Sequence, residues 1–282
     1  MPHPARLLKT LNQAVQLFKK TPGQRGRVVR LEAAAEVMVA GDLHGNVDNF
    51  RRILQAADLA KHPARHLVLQ EVVHGPFQYP DGGDKSHQLL DLVAALKCQF
   101  PEKVHFLIGN HELSQGTRRR IAKNDVDLNE LFRQGVASAY GSKADEVYHA
   151  YEQLIAVAPL AVRTPNRVFI SHSLPSAMNQ TPHFLAALEK SENVEADLLP
   201  GGCVHSLVWG RDVSEENAAR FLKLVDADWL ITGHIPCDRG FDLPNPFQII
   251  LDSLGACAGY CLFPAGQTLT RDDLVKSIGT LQ

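Results

Sequence analysis

Four segments of this sequence set carboxylate, carboxamide and imidazole side chains where they could hold a metal ion. Gly41-Asp42-Leu43-His44-Gly45-Asn46 offers a carboxylate and an imidazole two residues apart, between glycines that let the backbone turn both toward one cation. Gly109-Asn110-His111-Glu112 places an amide oxygen ligand beside a histidine suited to donate a proton. His172 and the segment Gly233-His234-Ile235-Pro236 add two more imidazoles. A single histidine is ordinarily a satisfied core or loop residue, but four such clusters in matching positions point to shared coordination chemistry.

The matching position is the end of a strand. Short apolar, β-rich runs occupy residues 36–40, 66–70, 104–108, 167–171, 229–232 and 247–251, and four of them run directly into the segments above. Loops at the carboxyl ends of strands can converge on one crevice. Helical spacing marks residues 5–20, 88–97 and roughly 128–157, so strands alternate with helices in a layered α/β arrangement. Residues 248–251 and 259–263 lie too close for an intervening helix, which predicts an antiparallel pair joining a second sheet.

With 282 residues, 45% hydrophobic and 21% charged, the chain can bury a large core. We read one domain over 1–282, with a helical extension over 1–30 and a core of about 36–263. A net charge of −2 without a run of Lys or Arg leaves no footprint for a nucleic-acid polymer or an anionic membrane. No apolar stretch is long enough for a membrane span, and cytoplasmic residence is the default expectation. The five scattered cysteines read as reduced core thiols.

Together the motifs resemble the calcineurin-like metallophosphoesterases, and more narrowly the phosphoprotein phosphatases, whose Gly-Asp-X-His-Gly and Gly-Asn-His-Glu signatures are intact here. Ala158-Pro159-Leu160-Ala161 before His172 and Ser206-Leu207-Val208-Trp209 are similar to further segments of that family, so the resemblance runs over roughly 36–263. It implies a four-layer β-sandwich flanked by helices, with a dimetal centre at one edge. Asp42 and His44 would then hold one metal, and Asn110, His172 and His234 the other. The family's Gly-Asp-X-X-Asp-Arg-Gly segment is replaced by Gln70-Glu71-Val72-Val73-His74-Gly75. Glu71, at the end of its strand and negatively charged, is our choice for the bridging carboxylate, with His74 the alternative. Counting back without gaps from Ala95 sets Asp81-Gly82-Gly83 where the family has Asp-Arg-Gly. Asp81, with Asp84 as competitor, is therefore expected to orient His111. The phosphate-binding arginine is missing there, and Arg211 is the candidate replacement.

The activity implied is hydrolysis of a phosphate monoester by water activated between two divalent ions of manganese, iron or zinc, with His111 protonating the leaving oxygen. The expected partner is a phosphorylated protein or small molecule. Two other readings stand beside it: cleavage of a dinucleoside polyphosphate, and a catalytically impaired scaffold that binds phosphate groups. Pro76-Phe77-Gln78-Tyr79-Pro80 either shapes substrate choice or covers the sheet.

Overall fold

Period-two alternation of apolar side chains sets the architecture. In the computed structural model, which describes residues 3–190 and 195–281, the strands are β1 (Gln24–Arg25), β2 (Val28–Arg30), β3 (Glu36–Asp42), β4 (Arg65–Gln70), β5 (Val104–Leu107), β6 (Ala122–Lys123), β7 (Val126–Asp127), β8 (Ala161–Arg163), β9 (Val168–Ser171), β10 (Trp229–Thr232), β11 (Phe241–Asn245), β12 (Gln248–Leu251), β13 (Ala258–Pro264) and β14 (Ile278–Leu281). Seven form one sheet in the order β1-β2-β8-β9-β10-β12-β11, five form another in the order β14-β13-β3-β4-β5, and β6-β7 is a separate hairpin. Along β3, Val37 and Val39 enter one buried cluster while Met38 and Ala40 enter a second; β4 divides Val68 from Leu67 and Leu69 in the same way. The first cluster unites Val39 and Val68 with Ile170, Ile231 and Ile249 of the other sheet, so it is the filling of a sandwich.

The outer faces carry helices, among them α1 (Pro4–Lys19), α2 (Val47–Ala57), α3 (His87–Gln99), α4 (Asn110–Thr117), α5 (Leu128–Tyr140) and α6 (Ala144–Val157). On one face, α1 buries Leu7, Leu11, Ala14, Val15 and Phe18 at helical spacing and packs against α3 and α6. On the other, Phe169 of β9 meets Phe221 of the helix Glu215–Leu224 edge-on, centroids 5.5 Å apart. This is the four-layer α/β sandwich that the resemblance implies.

Several sequence expectations change in detail. The two sheets reach beyond residues 36–263, because β2 pairs with β8 and β14 with β13, and α1 shares the main buried cluster. Residues 128–157 form two helices rather than one run, divided at Gly141, whose φ of +54° cannot continue a helix. The antiparallel pair predicted for 248–251 and 259–263 does not form: β12 lies between β10 and β11, and β13 between β14 and β3. Each strand finds two partners inside its own sheet, so the chain between them crosses from one sheet to the other. All five cysteines are free thiols, but Cys261 alone is buried and Cys257 is exposed, which corrects the expectation of core thiols. Among the described residues no helix is long and apolar enough to cross a membrane.

For the site, the consequential pairings are parallel ones. β3, β4 and β5 run side by side, as do β9, β10 and β12, so each group ends on one side. A bridge from Asp42 at the end of β3 to Asp252 just past β12 joins the two sheets there.

Candidate active site

Each predicted ligand leaves its strand end toward the same point. The Glu71 carboxylate lies at the centre: Oε2 is 3.3 Å from His44 Nε2, and Oε1 is 3.5 Å from His172 Nε2. Asp42 Oδ1 is 3.5 Å from His172 Nδ1, and Asn110 Oδ1 is 3.1 Å from His172 Nε2. The His234 ring stands 5.0 Å from that of His172, while its backbone N–H donates to Asp42 Oδ2 at 2.7 Å. His44 donates from Nδ1 to the Val73 carbonyl at 2.9 Å, which leaves its Nε2 lone pair directed at Glu71.

Close approach and backbone strain make this convergence possible. A Cβ on Gly109 would lie 2.1 Å from Glu71 Oε1, and one on Gly233 would lie 2.1 Å from Asp42 Oδ1, so only glycine lets these loops pass beneath the carboxylates. His44, Glu71, His74 and His234 all hold positive φ, between +32° and +68°, a conformation non-glycine residues keep only where the surroundings enforce it. Glu112 supplies part of that enforcement. Its buried carboxylate accepts from the backbone N–H groups of Val72, Val73 and Gly109, stapling the loop after β4 to the start of α4. The sequence reading assigned Glu112 no role, although a carboxylate at the third position of a helix is a recognisable capping signal.

The donor set fits divalent cations. Asp42 and Glu71 are 7% and 2% exposed, and among the described residues no lysine or arginine forms a salt bridge with either. Asp42 Oδ1, His172 Nδ1 and His234 Nε2 are buried without a hydrogen-bond partner among the described residues, a costly condition for polar atoms unless a cation engages them. Burial, then the Glu71 charge, pushes Asp42 well above the usual carboxylate range; burial, then Glu112, does the same to Glu71. Burial holds His172 well below its ordinary value and brings His234 down to about 3. Carboxylates short of positive charge beside neutral imidazoles with free lone pairs form a mixed nitrogen and oxygen set suited to first-row metals. Two subsets could each hold an ion: Asp42, Glu71 and His172, and His44, Glu71 and His111.

A cleft of about 600 Å³ opens over this cluster. Arg211 is exposed and lines the cleft, as do Trp209 and His234. Lys123, on the β6-β7 hairpin, lines the facing side with Ile121, Val126 and Leu131; nothing in its sequence context marked it. Pro76 and Gln78 edge the cleft, and the Tyr79 hydroxyl lies 3.0 Å from Nε2 of His87 at the start of α3.

The placement of Asp81 requires a correction. It is exposed, and its carboxylate accepts from Ser138 Oγ and from the Gly83 N–H. Asp84 is buried but bonds Ser86, whose hydroxyl accepts from the His74 N–H. Neither carboxylate touches His111. The ring that does is His74, with Nδ1 3.0 Å from His111 Nδ1. His74 was weighed only as a bridge; its position three residues after Glu71, counted forward from the strand end, was the signal for this neighbourhood.

A family model described as calcineurin-like phosphoesterase matches residues 35–238, more than half of the chain. A probable serine/threonine-protein phosphatase of Encephalitozoon cuniculi is 27% identical over 241 residues, 79% of this chain and 47% of that protein. A PP2A-like serine/threonine-protein phosphatase of Candida albicans is 24% identical over 201 residues, 71% of this chain and 42% of that protein. The chain thus spans less than half the length of either relative. Among solved structures, a Saccharomyces cerevisiae protein serine/threonine phosphatase with similarity to human phosphatase PP5 superposes with a TM-score of 0.73 at 15% identity, covering 100% of this chain and 89% of that one. A cold-active protein-tyrosine phosphatase of Shewanella superposes at 0.60 and 14% identity, over 95% of this chain and 84% of that one. These two likenesses concern the fold.

Proposed function

The chain belongs to the calcineurin-like phosphoesterase family, and from that membership we propose that it is a metal-dependent phosphatase that hydrolyses phosphate monoesters on serine or threonine of a protein. The observation that carries this reading is Glu71, whose two carboxylate oxygens face two different sets of donors. Asp42, His44, Glu71, Asn110, His172 and His234 would together hold two divalent ions, with Glu71 between them. When bound, such ions supply a water acidic enough to ionise near neutral pH and positive charge for the phosphoryl oxygens. Arg211 binds two oxygens of the substrate phosphate through its planar guanidinium. His111, at the edge of the cluster, delivers a proton to the departing oxygen.

Protein substrates are favoured over dinucleoside polyphosphates because the relatives with the described similarity carry the name serine/threonine-protein phosphatase. The presence of a proton donor beside the ligands favours turnover over passive phosphate binding.

The test is hydrolysis of an aryl phosphate, a phosphoserine peptide and a dinucleoside tetraphosphate by metal-stripped protein to which manganese, iron(II), zinc or magnesium is restored. Turnover of the first two with a restored metal is expected. Hydrolysis of the dinucleotide alone would replace the substrate assignment, and metal uptake without turnover of any of the three would replace the enzyme reading with a scaffold.

A further inference from the structure

The part of the cleft built from residues 121–131 carries a single charge. Lys123 and Val126 oppose each other across the β6-β7 hairpin, so their side chains project from the same face, and both line the cleft. Ile121, Ala122, Asn124, Leu128 and Leu131 line it too, and none of them is ionisable. Lys123 is exposed and, among the described residues, forms no salt bridge, whereas its neighbours Arg118 and Arg120 are paired with Glu152 and Asp127. The hairpin that presents this lysine is braced. Asn124 and Asp125 hold φ of +51° and +63°, as the two central residues of a tight hairpin turn require. The Arg120 guanidinium donates to the Asp125 carbonyl at 3.2 Å, and the Leu128 N–H donates to the Ile121 carbonyl at 2.9 Å. Asp127 caps α5 by accepting from the Asn129 N–H at 3.0 Å, and the Asn129 amide donates to the Arg119 carbonyl at 2.7 Å.

We propose that Lys123 is a specificity-determining residue: it receives a second negative charge on the substrate, the carboxylate of an Asp or Glu close to the phosphorylated serine or threonine, so that the enzyme selects acidic phosphopeptides. The proposal rests on the phosphatase reading above. The carboxylates of the cleft do not compete for this ammonium. Those of Asp42 and Glu71 belong to the donor cluster, and that of Asp252 accepts from the backbone N–H groups of Cys237 and Leu254 at 3.0 and 2.9 Å. The substrate phosphate is met at the donor cluster and by Arg211, which leaves the hairpin cation for another group on the same peptide. A lysine suits that task. Its flexible stem and compact charge can meet a carboxylate in more than one geometry, whereas the fork of an arginine favours two oxygens of one anion. A neutral flank leaves the charge unmatched, and a basic one is repelled by it.

Two measurements test this on the full chain, loaded with the metal that restores turnover. The first is kcat/KM for a panel of phosphoserine peptides in which one flanking residue at a time is Asp or Asn. In wild-type protein at least one position should favour Asp by about fivefold. Lys123→Gln should bring that ratio close to one, and Lys123→Glu should invert it, because the same position then meets a like charge. The second measurement needs no variant. It repeats the wild-type panel in about 0.5 M salt, where the ratio should shrink because an ion pair at an exposed lysine is screened. The proposal is overturned if no position distinguishes Asp from Asn, if the preference survives Lys123→Gln, or if salt leaves it unchanged. Turnover of 4-nitrophenyl phosphate, which has no flank, keeps the two readings apart. Wild-type protein that hydrolyses this ester and every peptide alike refutes the role of Lys123 alone; wild-type protein that hydrolyses none of the peptides sinks the protein-phosphatase reading on which that role rests.

Discussion

Strand β4 carries a buried histidine contact near its start and the centre of the active cluster just past its end, and the two differ instructively. Near the start, His66 Nδ1 is 3.0 Å from His105 Nε2, with the rings stacked 5.3 Å apart. Burial, then Lys103, depresses His66 to about 4, much as burial depresses His234. The fully buried Lys97 nearby donates to Thr21 Oγ1 and to the Val104 carbonyl. Proximity and burial of imidazoles are therefore common to both places. An unpartnered ring nitrogen is common to both as well, His105 Nδ1 at one and His172 Nδ1 and His234 Nε2 at the other; what the active end adds is two buried carboxylates that form no salt bridge with a lysine or arginine among the described residues, and a cleft above them. Shifted titration marks burial; uncompensated negative charge under an opening marks chemistry.

The sharpest way to break that contrast is Glu71→Ala. We expect loss of bound metal and a fall in turnover of about a hundredfold or more, read by metal analysis beside phosphatase assay. Retained metal and activity would move the bridge elsewhere and leave the active end no different in kind from the other. His111→Ala should lose on the order of a hundredfold in kcat on phenyl phosphate; metal content measured beside it separates loss of an acid from loss of a ligand. Arg211→Ala should act mainly on KM, raising it about tenfold. The double variant His66→Leu with His105→Leu should leave kcat and metal content unchanged and alter only acid stability. Folded His66 stays neutral down to about pH 4, whereas the unfolded residue protonates from about its ordinary 6.5. In that window the unfolded chain binds more protons, so stability falls as pH drops from 6.5 toward 4 and levels off below. The leucine variant should show a smaller loss of Tm over that range; an equal loss would mean the pair is not the group that titrates.

Legibility in the sequence followed distance from a strand end. Asp42, His44, Asn110, His111, His172 and His234 lie at a strand end or within four residues past one, where the sheet dictates direction, and the structure brings them together. Glu71 was legible for the same reason. Asp81 was misread because the chain between β4 and α3 is long enough for a gapless count from the far side to lose register with the sheet. A residue in mid-loop is placed by its own bonds, here to Ser138 and Gly83. Arg211 and Lys123 were hard to weigh because what directs them is the wall of a cleft made by several elements. The strands β12 and β13 failed as a pair for a related reason. Alternation reports which faces are buried but not which sheet does the burying.

Chain order and burial order part company at α1. Its stripe of Leu7, Leu11 and Phe18 packs on α3 and α6, and the second of these ends only at Val157. During synthesis that stripe waits on the order of ten seconds for its cover. The helix is thus made well before its cover is complete, and in that interval Leu7, Leu11 and Phe18 are what a chaperone would grip.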